Sequence, residues 1–350
     1  MNALQRFTAL GRNEPIDRLP CVPIIGNTAA RVIGVKVSAI RSDARLLAEA
    51  QVAAYRLFGY DVIRVFTDLY VQAEAMGASV RVPEDETAYL DAPALTDLAA
   101  IDGLRPLDPR RDGLVPVHLE AMRRVVDAVG HEVPVTGALC APFTTASLLI
   151  GAEQIVRLTM KNPEAVHRLC RLALESCLAY AEAIIAAGAT PSLTDPMASA
   201  TVISPRQFRE FAFPYLKELI GYIHSRGKGV TLHICGRTAK IWEAMTEAGA
   251  DCLSIDNEAS LADAKVAVGD RARLMGNVRP SEVMLQGTPD DVRQGVIDCV
   301  RAAHDNPKGL IVASGCSLPT ETPFANIHAM MSAVQEIGWP VRLEKLGTET

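Results

Sequence analysis

The sequence has no run of lysine or arginine, and its net charge at neutral pH is −6 over 350 residues. That balance argues against a nucleic-acid partner. No stretch reaches the uninterrupted apolar length of a membrane span; Ala183–Ala189, for example, is bounded by Glu182 and Thr190. The opening residues Met1 to Arg12 lack the apolar core of a signal peptide. The expectation is a cytoplasmic chain without a membrane segment. Internal repeats, low-complexity tracts and linkers are also missing, so residues 1–350 read as one domain. Cysteine is present but not clustered: Cys21, Cys140, Cys170, Cys177, Cys235, Cys252, Cys299 and Cys316 are scattered through apolar segments. That spacing excludes a disulfide framework and leaves most of them as small buried hydrophobes.

What is there is core material, 49% hydrophobic against 22% charged residues, arranged in an alternating pattern. A short helix over 2–11 precedes eight apolar strands: Cys21–Gly26, Val62–Asp68, Val133–Leu139, Thr190–Pro196, Gly229–Gly236, Cys252–Asp256, Ala272–Val278 and Gly309–Cys316. Helical segments separate them, among them Ser42–Phe58, Val117–Val129, a long region over Thr145–Ala187 broken near Pro163, and a closing helix over Thr322–Ile337. Residues 69–112, rich in Pro, Asp and Gly, read as an irregular excursion after the second strand. Eight strand–helix units without a Gly-rich dinucleotide fingerprint predict a (β/α)8 TIM barrel of the α/β class rather than an open doubly wound sheet.

In such a barrel, chemistry sits at the C-terminal ends of the strands. Those ends carry Asp68, Asp195, His233 with Cys235, Asp256, Asn277 and Cys316. In Thr231-Leu-His-Ile-Cys235 the period of two puts Thr231, His233 and Cys235 on one face. Imidazole and thiol are both zinc-type ligands, and Cys316 at the end of the eighth strand can join them across the mouth. A His-Cys-Cys set leaves a tetrahedral ion one open position, the arrangement of a catalytic zinc. Asp68, Asp195 and Asp256 are candidates to orient substrate, support the histidine or transfer protons. They can equally cap the loops and helices that follow them. Asn277 is a weaker candidate for contact with a cofactor.

These residues sit in motifs that resemble the uroporphyrinogen decarboxylase superfamily: Val65-Phe-Thr-Asp68 with Ala75-Met-Gly77, Asp195-Pro196 with Ile203-Ser-Pro205, His233-Ile-Cys-Gly236, Gly276-Asn-Val278 and Gly315-Cys-Ser-Leu-Pro319. The His-x-Cys and later Gly-Cys pair is similar to the cobamide-dependent methyltransferase branch. That resemblance implies Zn2+ on His233, Cys235 and Cys316, and a methyl group moved between a corrinoid and a small methyl donor or acceptor such as a thiol. With no cobalamin-binding signature in the chain, the corrinoid is expected on a partner protein. A homodimer is also an expectation of the resemblance. A metal-free decarboxylase using Asp68 is the alternative. Against it, Pro23–Arg31 lacks the paired arginines that hold a porphyrin's carboxylates. A non-catalytic barrel that binds a corrinoid protein is a third reading.

Overall fold

All eight expected strands form in the computed structural model, which describes residues 1–12, 14–342 and 346. In chain order they are β1 (Cys21–Val22), β2 (Ile63–Val65), β5 (Val135–Cys140), β6 (Thr190–Thr194), β7 (Thr231–Ile234), β8 (Cys252–Ile255), β9 (Arg273–Val278) and β10 (Leu310–Ser314). The remaining two, β3 (Ser79–Arg81) and β4 (Tyr89–Ala92), form a separate antiparallel hairpin. The eight are parallel and run β1-β10-β9-β8-β7-β6-β5-β2, curling so that all eight bound one lumen. A helix covers each crossover, for instance Ala44–Phe58 between β1 and β2 and Pro289–Ala303 between β9 and β10. Among the described residues no helix is long and apolar enough to cross a membrane.

Register follows from a band of leucines. Leu139, Leu193, Leu232, Leu253, Leu274 and Leu310 are consecutive cross-strand partners from β5 to β10. Each is fully buried, worth about 1.5–3 kcal/mol relative to exposure. A slip of one residue would turn the whole band into the lumen, so the hydrophobic pattern fixes the register. The same alternation sends Arg64, Thr136, Ser192, Thr231, His233, Ser254 and Met275 inward.

Two expectations change. Residues 69–112 are not irregular throughout: they hold the helix Val71–Ala75, the β3–β4 hairpin and a 3-10 turn at Leu98–Gly103. The hairpin half-buries only the Val80–Leu90 pair, so its sequence carries too short an apolar alternation to read. The region 145–187 is interrupted at Gly151 as well as before Pro163, giving helices Pro142–Ile150, Ala152–Lys161 and Pro163–Ala186.

β1 and β2 lie at opposite ends of the pairing order, and a side chain bridges them. Asp61, just before β2, donates its N–H to the Cys21 carbonyl at 2.9 Å and accepts the Cys21 N–H on Oδ2 at 2.7 Å. Its carboxylate, 1% exposed, also pairs with Arg18 at 2.5 Å and with Arg6. Arg6 is bidentate to Asp17 at 2.7 Å, which ties the N-terminal helix Ala3–Gly11 to the barrel floor. Removing the charge of Asp61 leaves the Arg18 guanidinium without an acidic partner and Arg6 with Asp17 alone. Asp61→Asn is therefore expected to lower stability by about 3–5 kcal/mol, read from the midpoint of urea unfolding. A midpoint matching wild type would show that other contacts hold the seam.

Candidate metal centre

The ends of β7 and β10 bring His233, Cys235 and Cys316 together, with their ligand atoms all within 4.8 Å of one another. His233 is 6% exposed, while both cysteines are partly open. The imidazole is fixed from behind: Nδ1 lies 3.1 Å from Ser254 Oγ and 3.2 Å from Ser254 O on the neighbouring strand. With Nδ1–H donating there, the Nε2 lone pair points at the Cys235 Sγ, 3.2 Å away. A tetrahedral zinc with bonds of about 2.0 Å to nitrogen and 2.3 Å to sulfur needs ligand atoms roughly 3.3–3.8 Å apart. The donor set and the serine behind the imidazole fit that ion, with the ligand atoms already gathered within 4.8 Å of one another.

Two glycines make the approach feasible. Gly236 has φ +74°, so the chain turns directly after Cys235, and a Cβ there would meet Thr201 Oγ1 at 2.7 Å. A Cβ on Gly315 would sit 2.7 Å from the Asn257 N. Its absence lets the end of β10 press against the loop after β8 and deliver Cys316. The Cys235 carbonyl is pinned by Ser199 Oγ at 2.6 Å.

The two thiols lie in one cluster and shift each other's proton affinity in opposite directions. Cys316 is pulled well below the ordinary thiol value, chiefly by the hydrogen bond from Cys235, with His233 and the Ser317 N–H adding to it. Cys235 is pushed up by the same bond and then by burial. A divalent cation bound here would displace the thiol protons.

Beneath the triad a cavity of about 400 Å³ fills the barrel lumen, walled by residues from every strand and reaching His233 and Ser254. Arg64 of β2 lines it. The guanidinium lies over the Phe66 ring, 5.2 Å from its centroid, yet Nε and Nη2 are enclosed and make no hydrogen bond among the described residues. Burial lowers its pKa from the usual value, opposed by the sulfurs of Cys316, Cys140 and Cys235. The ring face contributes roughly 0.5–2 kcal/mol. Unmade hydrogen bonds to a buried charged group cost more than that, at about 1–3 kcal/mol or above for each group.

The carboxylates do other things. Asp68 accepts from Arg41 Nε at 2.7 Å, Thr67 Oγ1 at 3.1 Å and the Tyr70 N–H at 2.8 Å. Arg41 also grips Glu74 at 2.7 Å, and His118 lies 3.3 Å from Thr67. Asp195 Oδ1 accepts the Thr144 N–H at 2.9 Å and its hydroxyl at 2.6 Å, capping the helix Pro142–Ile150, while Oδ2 is buried without a partner. Asp256 accepts the Glu258 N–H at 2.9 Å, turning the loop after β8 beside the triad. The Asn277 amide ties that loop down through the carbonyls of Asp256 and Ala259, at 3.0 and 2.7 Å. None of the four is in the His-Cys-Cys cluster. Sequence reasoning missed Ser254 and Arg64. The signal for Arg64 was its place in Arg64-x-Phe66-x-Asp68, one inward face of a strand with a charge at its middle.

Comparison with known proteins bears on this geometry. The chain matches the family described as Uroporphyrinogen decarboxylase (URO-D) over residues 2–337. It is 28% identical over 340 residues to methylcobamide:CoM methyltransferase MtaA of Methanosarcina barkeri, covering 95% of this chain and 97% of that one. It is 29% identical over 298 residues to a uroporphyrinogen decarboxylase of Carboxydothermus hydrogenoformans, covering 83% of each. Among solved structures, a methyltransferase from Methanosarcina mazei superposes with a TM-score of 0.87 at 26% identity, over 96% of this chain and 99% of that one.

Asp195 makes a pH prediction. Burial pushes its pKa up to about 6 from an ordinary 3.8. The folded state therefore holds a proton that the unfolded chain releases first. Its contribution is fully present below about pH 4, falls as pH rises through about 6 and is flat above. Over that window wild type should lose on the order of 3 kcal/mol more than Asp195→Asn, measured by urea melts at pH 4 and pH 7. Parallel pH profiles for the two proteins would refute the assignment.

Proposed function

The chain belongs to the uroporphyrinogen decarboxylase family, and from that footing we propose that it is a zinc-dependent methyltransferase. It would move a methyl group between a corrinoid on a partner protein and a small thiol or methylated substrate. The observation that carries this is the convergence of His233, Cys235 and Cys316 within 4.8 Å at the barrel mouth. Similarity to a corrinoid:CoM methyltransferase along 95% of the chain supports it. Bound to these three residues, zinc supplies the Lewis acidity that keeps a substrate thiol deprotonated at neutral pH.

The chain's own part is positional. Ser254 fixes the imidazole so that Nε2 faces the sulfurs. Cys235 and Cys316 present two sulfurs from strands on different sides of the mouth, leaving the side towards solvent for substrate. In the thiol-methylating direction the substrate sulfur forms its bond to carbon as the cobalt–carbon bond of methylcob(III)alamin breaks. The electron pair of that bond stays on cobalt, giving cob(I)alamin, and the thiol proton goes to solvent. Asp256 adds to the raised proton affinity of Cys235. Asp68 is held by Arg41, Thr67 and Tyr70, and that engagement favours methyl transfer over decarboxylation by a free Asp68.

Purified protein should contain close to one zinc per chain, and Cys316→Ala should drop it below half while the far-ultraviolet circular dichroism is unchanged. Methylcobalamin demethylation by a thiol panel, followed by absorbance, should fall at least 100-fold in that variant. Substoichiometric zinc that Cys316→Ala leaves unaltered would sink the metal assignment. Zinc at full occupancy with no turnover of any thiol or methylated substrate would sink the methyl transfer.

A further inference from the structure

Two of the three triad residues are cysteines, and their sulfurs lie close enough to react with each other. The ligand atoms of Cys235, Cys316 and His233 are all within 4.8 Å of one another. A disulfide holds its sulfurs about 2.05 Å apart, so closing the bond takes a movement of less than roughly 2.8 Å. Turning one thiol about χ1 from one staggered position to another moves a sulfur by that order. Neither strand has to shift, because both cysteines stand past the last residue of β7 or β10. Access then separates this pair from the other thiols. Cys235 and Cys316 are partly open, whereas Cys21, Cys140, Cys170, Cys177, Cys252 and Cys299 are buried. Cys140 and Cys177 are also neighbours, but each is enclosed and gives its S–H to a backbone carbonyl, of Leu69 and of Cys140. Oxidation of cysteine follows solvent access and the presence of a second sulfur to resolve the first product. In this chain of eight cysteines the two conditions meet at the barrel mouth.

We propose that Cys235 and Cys316 are a redox switch, closed to a disulfide by a peroxide and reopened by thiols, whose closure expels the metal. One sulfur attacks a peroxide oxygen: the S–O bond forms, the O–O bond breaks, and the leaving oxygen departs as water after taking up a proton. The second sulfur then attacks the first, so that S–S forms, S–O breaks and a second water leaves. Overall two thiols and one hydrogen peroxide give one disulfide and two waters, with two electrons passing from sulfur to the peroxide. The disulfide sulfurs carry no thiolate charge, so His233 is left as the one ligand of the set, too few to retain zinc. Two molecules of a small thiol reverse the step by exchange, restoring both cysteines and leaving joined as their own disulfide. Only the loss of the ion rests on the zinc reading; the disulfide needs the two sulfurs alone. The thiols that reopen the bond are of the class the proposed function uses. Activity would therefore fall when the thiol pool is oxidised and its substrate is scarce.

The test treats the zinc-loaded full chain with a modest molar excess of hydrogen peroxide, and metal-stripped protein in parallel. Zinc release is followed with a chromogenic chelator and remaining thiols are counted after denaturation. Two of the eight thiols should be lost in step with the zinc. A tryptic map made without reductant should join residues 229–237 to residues 309–342, which hold Cys235 and Cys316, with the loss of two hydrogens. Dithiothreitol should restore both thiols and zinc uptake, and far-ultraviolet circular dichroism should stay unchanged throughout, which separates the switch from unfolding. In Cys316→Ser no reducible link from Cys235 should form. Survival of all eight thiols, two thiols lost without that link, or the link formed with zinc still bound would each overturn the switch. So would a reducible link from Cys235 to a core cysteine in Cys316→Ser. The same link in metal-stripped protein upholds the disulfide independently of the metal. A preparation that holds no zinc but forms the link would therefore fault the zinc reading and not the pair, and zinc release with no methyl transfer would fault only the activity.

Discussion

The barrel is shut at one residue, Asp61, through its backbone N–H and its carboxylate. Asp61 stands where a backbone ladder between β1 and β2 would run, accepting the Cys21 N–H and neutralising Arg6 and Arg18. The groups that carry the candidate chemistry lie on either flank of that seam. Arg64 is three residues downstream on β2, and Cys316 ends the strand that pairs with β1. Opening the seam would part the guanidinium from the sulfurs. A buried ion pair is a poor source of net stability compared with an apolar replacement. Here it fixes the position of two strands that share no ladder, which an apolar contact would not specify.

The second constraint is the division of labour across the sheet. The leucine band from Leu139 to Leu310 places the hydrophobic driving force on the helix side. The inner face is then free to carry serine, threonine, histidine and arginine without sacrificing the core. Small inner residues also leave the lumen unfilled, unlike barrels packed by layers of branched side chains. A cavity and a polar inner face are two results of the same alternation.

That alternation is what the sequence made readable. Strand number, the facing of His233 and Cys235, and the arrival of Cys316 at the same mouth all follow from period two plus the count of units, and all are present in the structure. The aspartates were less legible. A strand-end acid can turn inward to the mouth or outward to the next helix, and the choice depends on which donor is nearer. For Asp195 that donor is Thr144, 51 residues away in the chain; for Asp68 it is Arg41, 27 residues away. The hairpin β3–β4 gave little periodic signal because only the Val80–Leu90 pair is half-buried. Being without a partner, as Arg64 is, is a property of the folded neighbourhood and leaves no mark in a local window of sequence.

Asp195 and Arg64 pose the same problem in opposite charge, and the sheet keeps them from solving it together. Asp195 faces the helix Pro142–Ile150 and Arg64 lines the lumen, so neither reaches the other. The carboxyl has a way out that needs no partner. Burial raises its pKa to about 6, and taking up a proton removes the charge that has no answering group. A guanidinium has no such exit, because even a lowered pKa leaves it protonated at any physiological pH. Its charge is met only from a distance, by the Phe66 ring and the sulfurs of Cys316, Cys140 and Cys235. The difference in proton chemistry between the two side chains is therefore what lets one of them discharge as a structural cap while the other stays charged beside the sulfurs.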